Sequence, residues 1–123
     1  RDLHSFPTRR SSDLEIYAAT KAALATKPTA IFGINDEVAI GVYRGLEEAG
    51  LKIPSDISVV GYDDIDLGEY ISPKLTTVHQ PAFEMGTNAA QMIIKRIEDH
   101  NEPIQQVSLP VSLVERDSVR AIN

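Results

Sequence analysis

The stretch that decides the fold is "TAIFGINDEVAIGVYRGLEEAGLKIPSDISVVGY", which runs from Thr29 to Tyr62. It opens with a short apolar run between Pro28 and Gly33, and it closes with a second apolar run that shows no clean polar alternation. Runs of this length and composition predict strands that are buried on both faces. A helical segment joins them, so the stretch predicts a strand–helix–strand unit with parallel strands and a right-handed crossover.

The segment between the two strands has the pattern of an amphipathic helix. Asn35 can cap its first turn, and Gly50 is placed to end it in a left-handed conformation. Ile40 and Tyr43 lie off the apolar stripe, three residues apart on a second face, which fits either a partner protein or burial by further chain. The predicted buried stripe consists of Val38, Ala39, Val42, Leu46 and Ala49.

Working outward, further elements are predicted on both sides. A helix over residues 15–25 precedes the first strand, "LTTVH" (75–79) is a third strand, and "VSLPVSLVER" (107–116) holds one or two short final strands. A second amphipathic helix is predicted over residues 81–100, with a buried stripe of Phe83, Ala90, Ile93, Ile94 and Ile97. The predicted fold class is α/β, with a mainly parallel sheet flanked by helices.

The first fourteen residues, "RDLHSFPTRRSSDL", have no helical or strand period. Part of this string resembles the translated sequence of a common sequencing-library adapter. We therefore predict that residues 1–14 are non-native, that residues 15–123 form a partial domain, and that the protein was cut at its N-terminus. The alternative is a disordered native arm rich in serine and arginine.

The composition of the chain limits the classes of protein to which it can belong. The 123 residues are enough for one small domain, and the absence of cysteine excludes disulfides and thiolate metal sites. The formal net charge of −6 disfavours a nucleic-acid-binding surface on this chain, because phosphate contacts need clustered Lys and Arg. No apolar run approaches the roughly 20 residues that cross a bilayer, so no membrane partner is predicted.

Polar side chains follow all three predicted parallel strands, where such sheets place their ligands. Some of these side chains have a purely structural explanation. Asn35 can cap a helix, Asp64 can shape a turn, and His79 can be a structural histidine whose ring is hydrogen-bonded within the fold. A carboxylate and an amide at one sheet edge equally suit a ligand rich in hydroxyl groups, which supply the donors that a buried carboxylate needs. The candidates are Asn35 and Asp36, Asp63 and Asp64, and His79 and Gln80.

Catalytic chemistry finds little support in the sequence. Asp64 and Asp66 have the spacing of a magnesium-binding pair, but no phosphate-cradling glycine loop accompanies them. There is no G-x-S-x-G elbow for a serine nucleophile and no histidine pattern for zinc. We therefore predict that the protein is not an enzyme and that it uses no metal or cofactor.

Three segments, "PTAIFGINDEVAIGVYRGLEEAGLKIPSDISVVGYDDI", "SPKLTTVHQP" and "LPVSLVERDSV", together resemble the effector-binding domain of the lac-repressor (LacI/GalR) family of bacterial transcription regulators. The resemblance implies a periplasmic-binding-protein-like fold, in which two α/β subdomains enclose a small ligand, often a sugar. It assigns residues 15–80 and 108–120 to the C-terminal subdomain. It assigns the helix over residues 81–100 to packing against a missing N-terminal subdomain.

The resemblance also implies site residues. Asn35 and Asp63 match ligand contacts, Gln80 matches a cleft position where the chain crosses between subdomains, and Phe32 matches a position that lines the cleft in some members. Ala82 stands where some members have a stacking aromatic residue, which leaves that contact without its usual side chain.

Further implications concern partners. Ile40 and Tyr70 match positions of a homodimer interface, and Tyr43 is added to them by its spacing from Ile40. The implied protein is a cytoplasmic regulator that binds a sugar-like effector and reaches operator DNA only through an N-terminal part absent from this sequence. The alternative is a periplasmic sugar-binding protein that serves a transporter.

Overall fold

The computed structural model describes residues 9–122 and confirms an α/β fold. Within that range no helix is both long and apolar enough to cross a membrane. The elements in chain order are α1 (Arg9–Leu24), β1 (Ala30–Phe32), α2 (Asp36–Glu48), β2 (Ser58–Val60), α3 (Leu67–Tyr70), β3 (Thr77–His79), α4 (Ala82–Glu98) and β4 (Ser112–Val114).

The strands pair in the way that the strand–helix–strand pattern predicts. β1 and β2 are parallel, with Ile31 opposite Val59. A parallel bridge joins Val60 to Thr76, at the entry to β3. β4 then pairs with β3 in the antiparallel direction. The sheet is therefore parallel across β1, β2 and β3, and the last short strand closes its far edge in the opposite sense.

Helix α2 covers this sheet and is capped as the sequence predicts. The Asn35 side chain accepts a hydrogen bond from the Val38 backbone N–H at 2.8 Å, and Gly50 has a φ of 72° just after the helix ends. Ala49 was wrongly predicted to be buried, because it is the C-cap residue and lies past the last turn that contacts the sheet. The core is formed by Ala39, Val42, Leu46, Ile57, Val59 and Leu75.

Helix α1 begins earlier than predicted. The sequence predicted a start at residue 15, whereas the helix runs from Arg9 to Leu24. Extending an existing helix costs far less than nucleating one, so a segment without apolar periodicity can join a helix that has already formed. The prediction for residues 1–8 lies outside the described residues.

Two glycines let α1 pack closely on α2. A Cβ added to Gly41 would lie 2.7 Å from a methyl carbon of Ile16, and one added to Gly45 would lie 2.9 Å from the methyl carbon of Thr20. Both distances are well inside van der Waals contact. These positions therefore set how near the two helices approach.

Helix α4 lies within the predicted residues 81–100 and is slightly shorter at both ends, but the predicted burial of its apolar stripe is wrong within the described residues. Phe83 is 90% exposed, Ile97 is 66% exposed, and none of the helix's residues is buried. The periodicity of a helix reports that one face is apolar without reporting what covers it. Packing of this face against another subdomain stays a prediction. The four-residue helix α3 was not predicted, because one turn is too short to show a period.

Candidate functional site

The carboxyl ends of β1, β2 and β3 meet at one edge of the sheet, and backbone hydrogen bonds tie the three loops together. The Asp36 N–H donates to the Tyr62 carbonyl at 2.8 Å, which joins the loops after β1 and β2. The Asp63 N–H donates to the Val78 carbonyl at 2.9 Å, which joins the loop after β2 to β3. The structure therefore gathers at one edge the three loops that carry the candidate polar residues.

Asp36 is the buried centre of this arrangement. It is fully buried, and its carboxylate accepts hydrogen bonds from the Thr77 hydroxyl at 2.5 Å and from the Ile65 N–H at 2.9 Å. It also stands in the first turn of α2, where the helix dipole stabilises a negative charge. Gly61 leaves room for it, because a Cβ there would lie 2.1 Å from an Asp36 carboxylate oxygen. Through these contacts the buried Asp36 carboxylate connects α2, β3 and the loop after β2.

Asp63 and Gln80 form a pair above this centre. The Gln80 side-chain amide donates to the Asp63 carboxylate, so residues that follow two neighbouring strands are in direct contact. Gln80 and Tyr62 also line a groove of about 540 Å³ between the strand ends, α4 and the segment that leads into β4. The groove's polar lining further includes Asn88, Gln105, Gln106 and Ser108. A carboxylate oriented by an amide beside such a groove can accept hydrogen bonds from a polar ligand.

Asn35 and Phe32 do not belong to the Asp63–Gln80 pair, and each has its own surroundings. The amide oxygen of Asn35 caps α2, so the structural explanation is confirmed, and its NH₂ group is the part suited to a ligand acceptor. Phe32 is 61% exposed and lines an apolar groove of about 380 Å³ between α1 and α2, with Ile16 and Val38. The structure therefore does not place Phe32 in the groove that Gln80 lines.

The second carboxylate of the loop, Asp64, has other partners. Its two oxygens lie 2.7 Å from the Arg116 guanidinium and 2.9 Å from Nδ1 of His79. Burial by itself raises the pKa of the Asp64 carboxyl, but the hydrogen bonds from Arg116 and His79 outweigh burial and hold that pKa below its ordinary value. We call Asp64, His79, Arg116 and Glu69 the Asp64 cluster, since Arg116 also contacts Glu69 at 3.1 Å.

The Asp64 cluster corrects the turn explanation for Asp64 and adds a residue that the sequence analysis missed. Asp64 meets a cation 52 residues away rather than only shaping its own turn. In the sequence Arg116 stands between Glu115 and Asp117, just after the last strand, and this local pattern gives no sign of its distant partner. No group of three or more His, Asp or Glu side chains suited to a metal occurs among residues 9–122.

The three residues assigned to a dimer interface differ in exposure. Ile40 is half-buried beside Leu14 and Tyr17 of α1. The Tyr43 hydroxyl donates to the Pro73 carbonyl at 3.1 Å, and burial raises the pKa of Tyr43 to about 12. Tyr70 is 83% exposed. Tyr70 thus presents the largest free apolar surface of the three, while Ile40 and Tyr43 are partly covered by this chain itself.

Comparison with known proteins identifies the family. The model of the periplasmic binding protein-like domain matches residues 3–119. The HTH-type transcriptional repressor PurR of Vibrio vulnificus is 45% identical over 112 residues, which are 90% of this chain and 34% of that protein. The chain belongs to the periplasmic binding protein-like domain family, in its lac-repressor (LacI/GalR) branch. It spans about a third of the length of the curated relatives that it matches.

Solved structures of the lac-repressor branch confirm the fold. The LacI family regulator of Enterococcus faecalis with bound ribose has a TM-score of 0.84 and 45% identity, over 90% of this chain and 42% of that chain. The lac repressor dimer bound to operator and the anti-inducer ONPF has a TM-score of 0.76 and 34% identity, over 88% of this chain and 38% of that chain. These relatives are regulators rather than enzymes, which favours the main interpretation of the sequence over a transporter component.

Proposed function

We propose that this chain is the effector-sensing part of a cytoplasmic bacterial transcriptional regulator, and that its effector is a sugar or sugar derivative. The observation that carries the proposal is the Asp63–Gln80 pair at the carboxyl edge of the sheet, where Gln80 lines a groove of mixed polar and apolar character. Carboxyl edges of parallel strands are where folds of this class bind ligands. A related regulator of the same fold holds ribose, which supports a polyhydroxylated effector.

The chemistry of the three strand-end residues suits adjacent hydroxyl groups. Asp63 accepts, and the bond from Gln80 leaves further lone pairs on its carboxylate. Asn35 offers its NH₂ group, because its oxygen is used by the helix cap. One hydroxyl can donate to Asp63 while its neighbour accepts from Asn35. A ligand without the first hydroxyl would leave the carboxylate unpaired, at a cost of about 1–3 kcal/mol.

Replacing Asp63 by alanine in the intact regulator is expected to weaken sugar binding by roughly a hundredfold, which corresponds to about 2.7 kcal/mol of lost charge-assisted hydrogen bonding. Operator binding should not change, because the Asp63 side chain pairs with Gln80 inside the sensor and its backbone bond to Val78 does not depend on the side chain. Calorimetric titration with ribose and with cellobiose measures the first effect, and a gel-shift assay measures the second.

Asp66→Ala is the matched control, because Asp66 is exposed and its side chain makes no cap bond to α3. It should bind sugar as the wild-type protein does. An Asp63→Ala protein with unaltered sugar affinity would remove Asp63 from the site. A wild-type protein that binds neither sugars of this kind nor their phosphates would contradict the proposed effector class.

In the proposed regulator, the effector favours one of two arrangements of a two-subdomain sensor and so changes how a dimer presents its DNA-binding parts. Operator DNA is contacted only by an N-terminal part that precedes this chain. Catalysis and a cofactor have no place in this scheme, because differential binding of the effector supplies all of the free energy that the switch needs.

We further propose that Tyr70, with Ile40 and Tyr43, belongs to the dimer interface. Tyr70→Asp is expected to weaken the dimer by at least tenfold, because a charge would replace an apolar ring that is now 83% exposed. Sedimentation velocity over a dilution series measures the effect. Tyr70→Phe keeps the ring and should dimerise normally, whereas equal dimerisation of Tyr70→Asp would place the interface elsewhere.

A further inference from the structure

The loop that carries the proposed ligand-binding carboxylate has an unfavourable backbone. Asp63 has a φ of 116° and Asp64 a φ of 58°, so two consecutive residues with side chains occupy the region that glycine prefers. Such conformations persist only where surrounding contacts impose them. The contacts of this loop therefore decide where the Asp63 side chain points.

The two carboxylates of this loop have separate partners. Asp63 is paired with Gln80, which lines the groove, and Asp64 is paired with Arg116 and His79. The neighbouring N–H groups of Asp63 and Ile65 make ordinary bonds of 2.9 Å, but the N–H of Asp64 itself reaches the Thr77 hydroxyl only at 3.4 Å. The Asp64 carboxylate is consequently the strongest attachment of the second strained residue.

Arg116 is itself held firmly. Its guanidinium donates to the Leu75 carbonyl at 2.9 Å as well as to Asp64 and Glu69, and its backbone N–H donates to the Thr76 hydroxyl at 2.9 Å. Its side chain is only 12% exposed. The planar guanidinium can satisfy these partners at once, which a lysine ammonium on a flexible stem does not reproduce.

We infer that Arg116 is a positioning residue for effector binding: by holding Asp64 it fixes the left-handed backbone that directs Asp63 toward Gln80 and the groove. The inference rests on the proposed ligand role of Asp63. It divides the Asp-Asp pair into a residue that contacts the ligand and a residue that anchors the loop, and it gives the last strand segment a part in recognition without any contact to the ligand.

The test is a double-mutant cycle in the intact regulator, with calorimetric titration of ribose as the binding measurement. Arg116→Ala and Asp64→Ala are each expected to weaken binding at least tenfold. Arg116→Ala should have no further effect once Asp64 is alanine, because the arginine acts through that carboxylate. Arg116→Lys should bind with intermediate affinity. Arg44→Ala is the control, since Arg44 is exposed and, in the described part of the chain, forms an ion pair only with Glu48 on the same helix.

Amide hydrogen exchange provides a measurement that does not depend on the ligand. In Arg116→Ala the amides of Asp63, Asp64 and Ile65 should exchange at least tenfold faster, while those of Val42 and Leu46 in α2 keep their protection. Loss of protection throughout the domain would mean that Arg116 only stabilises the fold, and it would overturn the inference.

Two further outcomes of the binding measurements have a defined meaning. Additive effects of the two substitutions on ribose affinity would show that Arg116 does not act through Asp64. A wild-type protein that binds no ribose would count against that sugar as effector, and the exchange rates at residues 63–65 would then decide alone whether Arg116 holds the loop.

Discussion

Replacing Asp36 by alanine is expected to lower the free energy of unfolding by about 3 kcal/mol or more. The Thr77 hydroxyl and the Ile65 N–H would both lose their acceptor in a fully buried setting, and α2 would lose a favourable charge at its N-terminus. Chemical denaturation of the intact protein measures the change. Sugar binding should fall in the same variant, because the loop that carries Asp63 loses its support.

Two milder substitutions separate the causes of this effect. Asp36→Asn keeps the shape and one acceptor oxygen, so it should cost less than alanine. Thr77→Val removes the hydroxyl that Asp36 accepts from, and it should reproduce only part of the loss because the Ile65 bond remains. A wild-type unfolding free energy in Asp36→Ala would show that the buried carboxylate does not hold these elements together.

Replacing Gly61 by alanine is expected to destabilise the protein by about 3 kcal/mol, near the upper end of the usual cost of overpacking. The new Cβ would lie 2.1 Å from an Asp36 carboxylate oxygen and 3.0 Å from a Leu75 methyl carbon. Neither group can move freely, because both are fully buried. Thermal or denaturant unfolding measures the loss.

A matched glycine substitution tests whether steric conflict is the cause. Among the described residues a Cβ at Gly86 in α4 would meet nothing within 4 Å, so Gly86→Ala should raise the stability of this chain by about 0.5–1 kcal/mol through helix propensity. The Gly61→Ala loss should also shrink once Asp36 is alanine, because the obstructing oxygen is then absent. Strict additivity of the two losses would contradict this explanation.

The fold was predictable where its determinants are local. The β1–α2–β2 unit follows from apolar runs, the Asn35 cap and the Gly50 end, all of which lie within one short stretch of sequence. Burial of α4 was not predictable, because an apolar stripe carries no information about what covers it. The early start of α1 was not predicted for another reason. A segment that adjoins a helix already formed can extend it even when its own residues show no helical periodicity.

The candidate site was likewise predictable only where its determinants are local. Parallel-strand geometry predicted that Asn35, Asp63 and Gln80 would follow neighbouring strands, because one edge of the sheet collects all of these ends. The partners of those residues were not predictable. Arg116 reaches Asp64 across 52 residues, and Asp36 reaches Thr77 across 41, so neither contact leaves a trace in local spacing. The sequence identified the acidic residues as candidates, but it could not show which of them contact the ligand and which only hold the loops in place.

The layered arrangement of the strand ends has a consequence for how such sensors diversify. The supporting contacts form a lower layer through Asp36, Thr77 and Arg116, whereas Gln80, which lines the groove, and its partner Asp63 form an upper layer. Substitutions at Asn35 and Gln80 leave every supporting side-chain bond of Asp36 and Asp64 in place. A regulator built this way can exchange one effector for another by changing Gln80 and its neighbours in the groove with little risk to folding, whereas a change at Asn35 must keep a side chain that caps α2. The lower layer is the better region to leave untouched when new effector specificities are engineered.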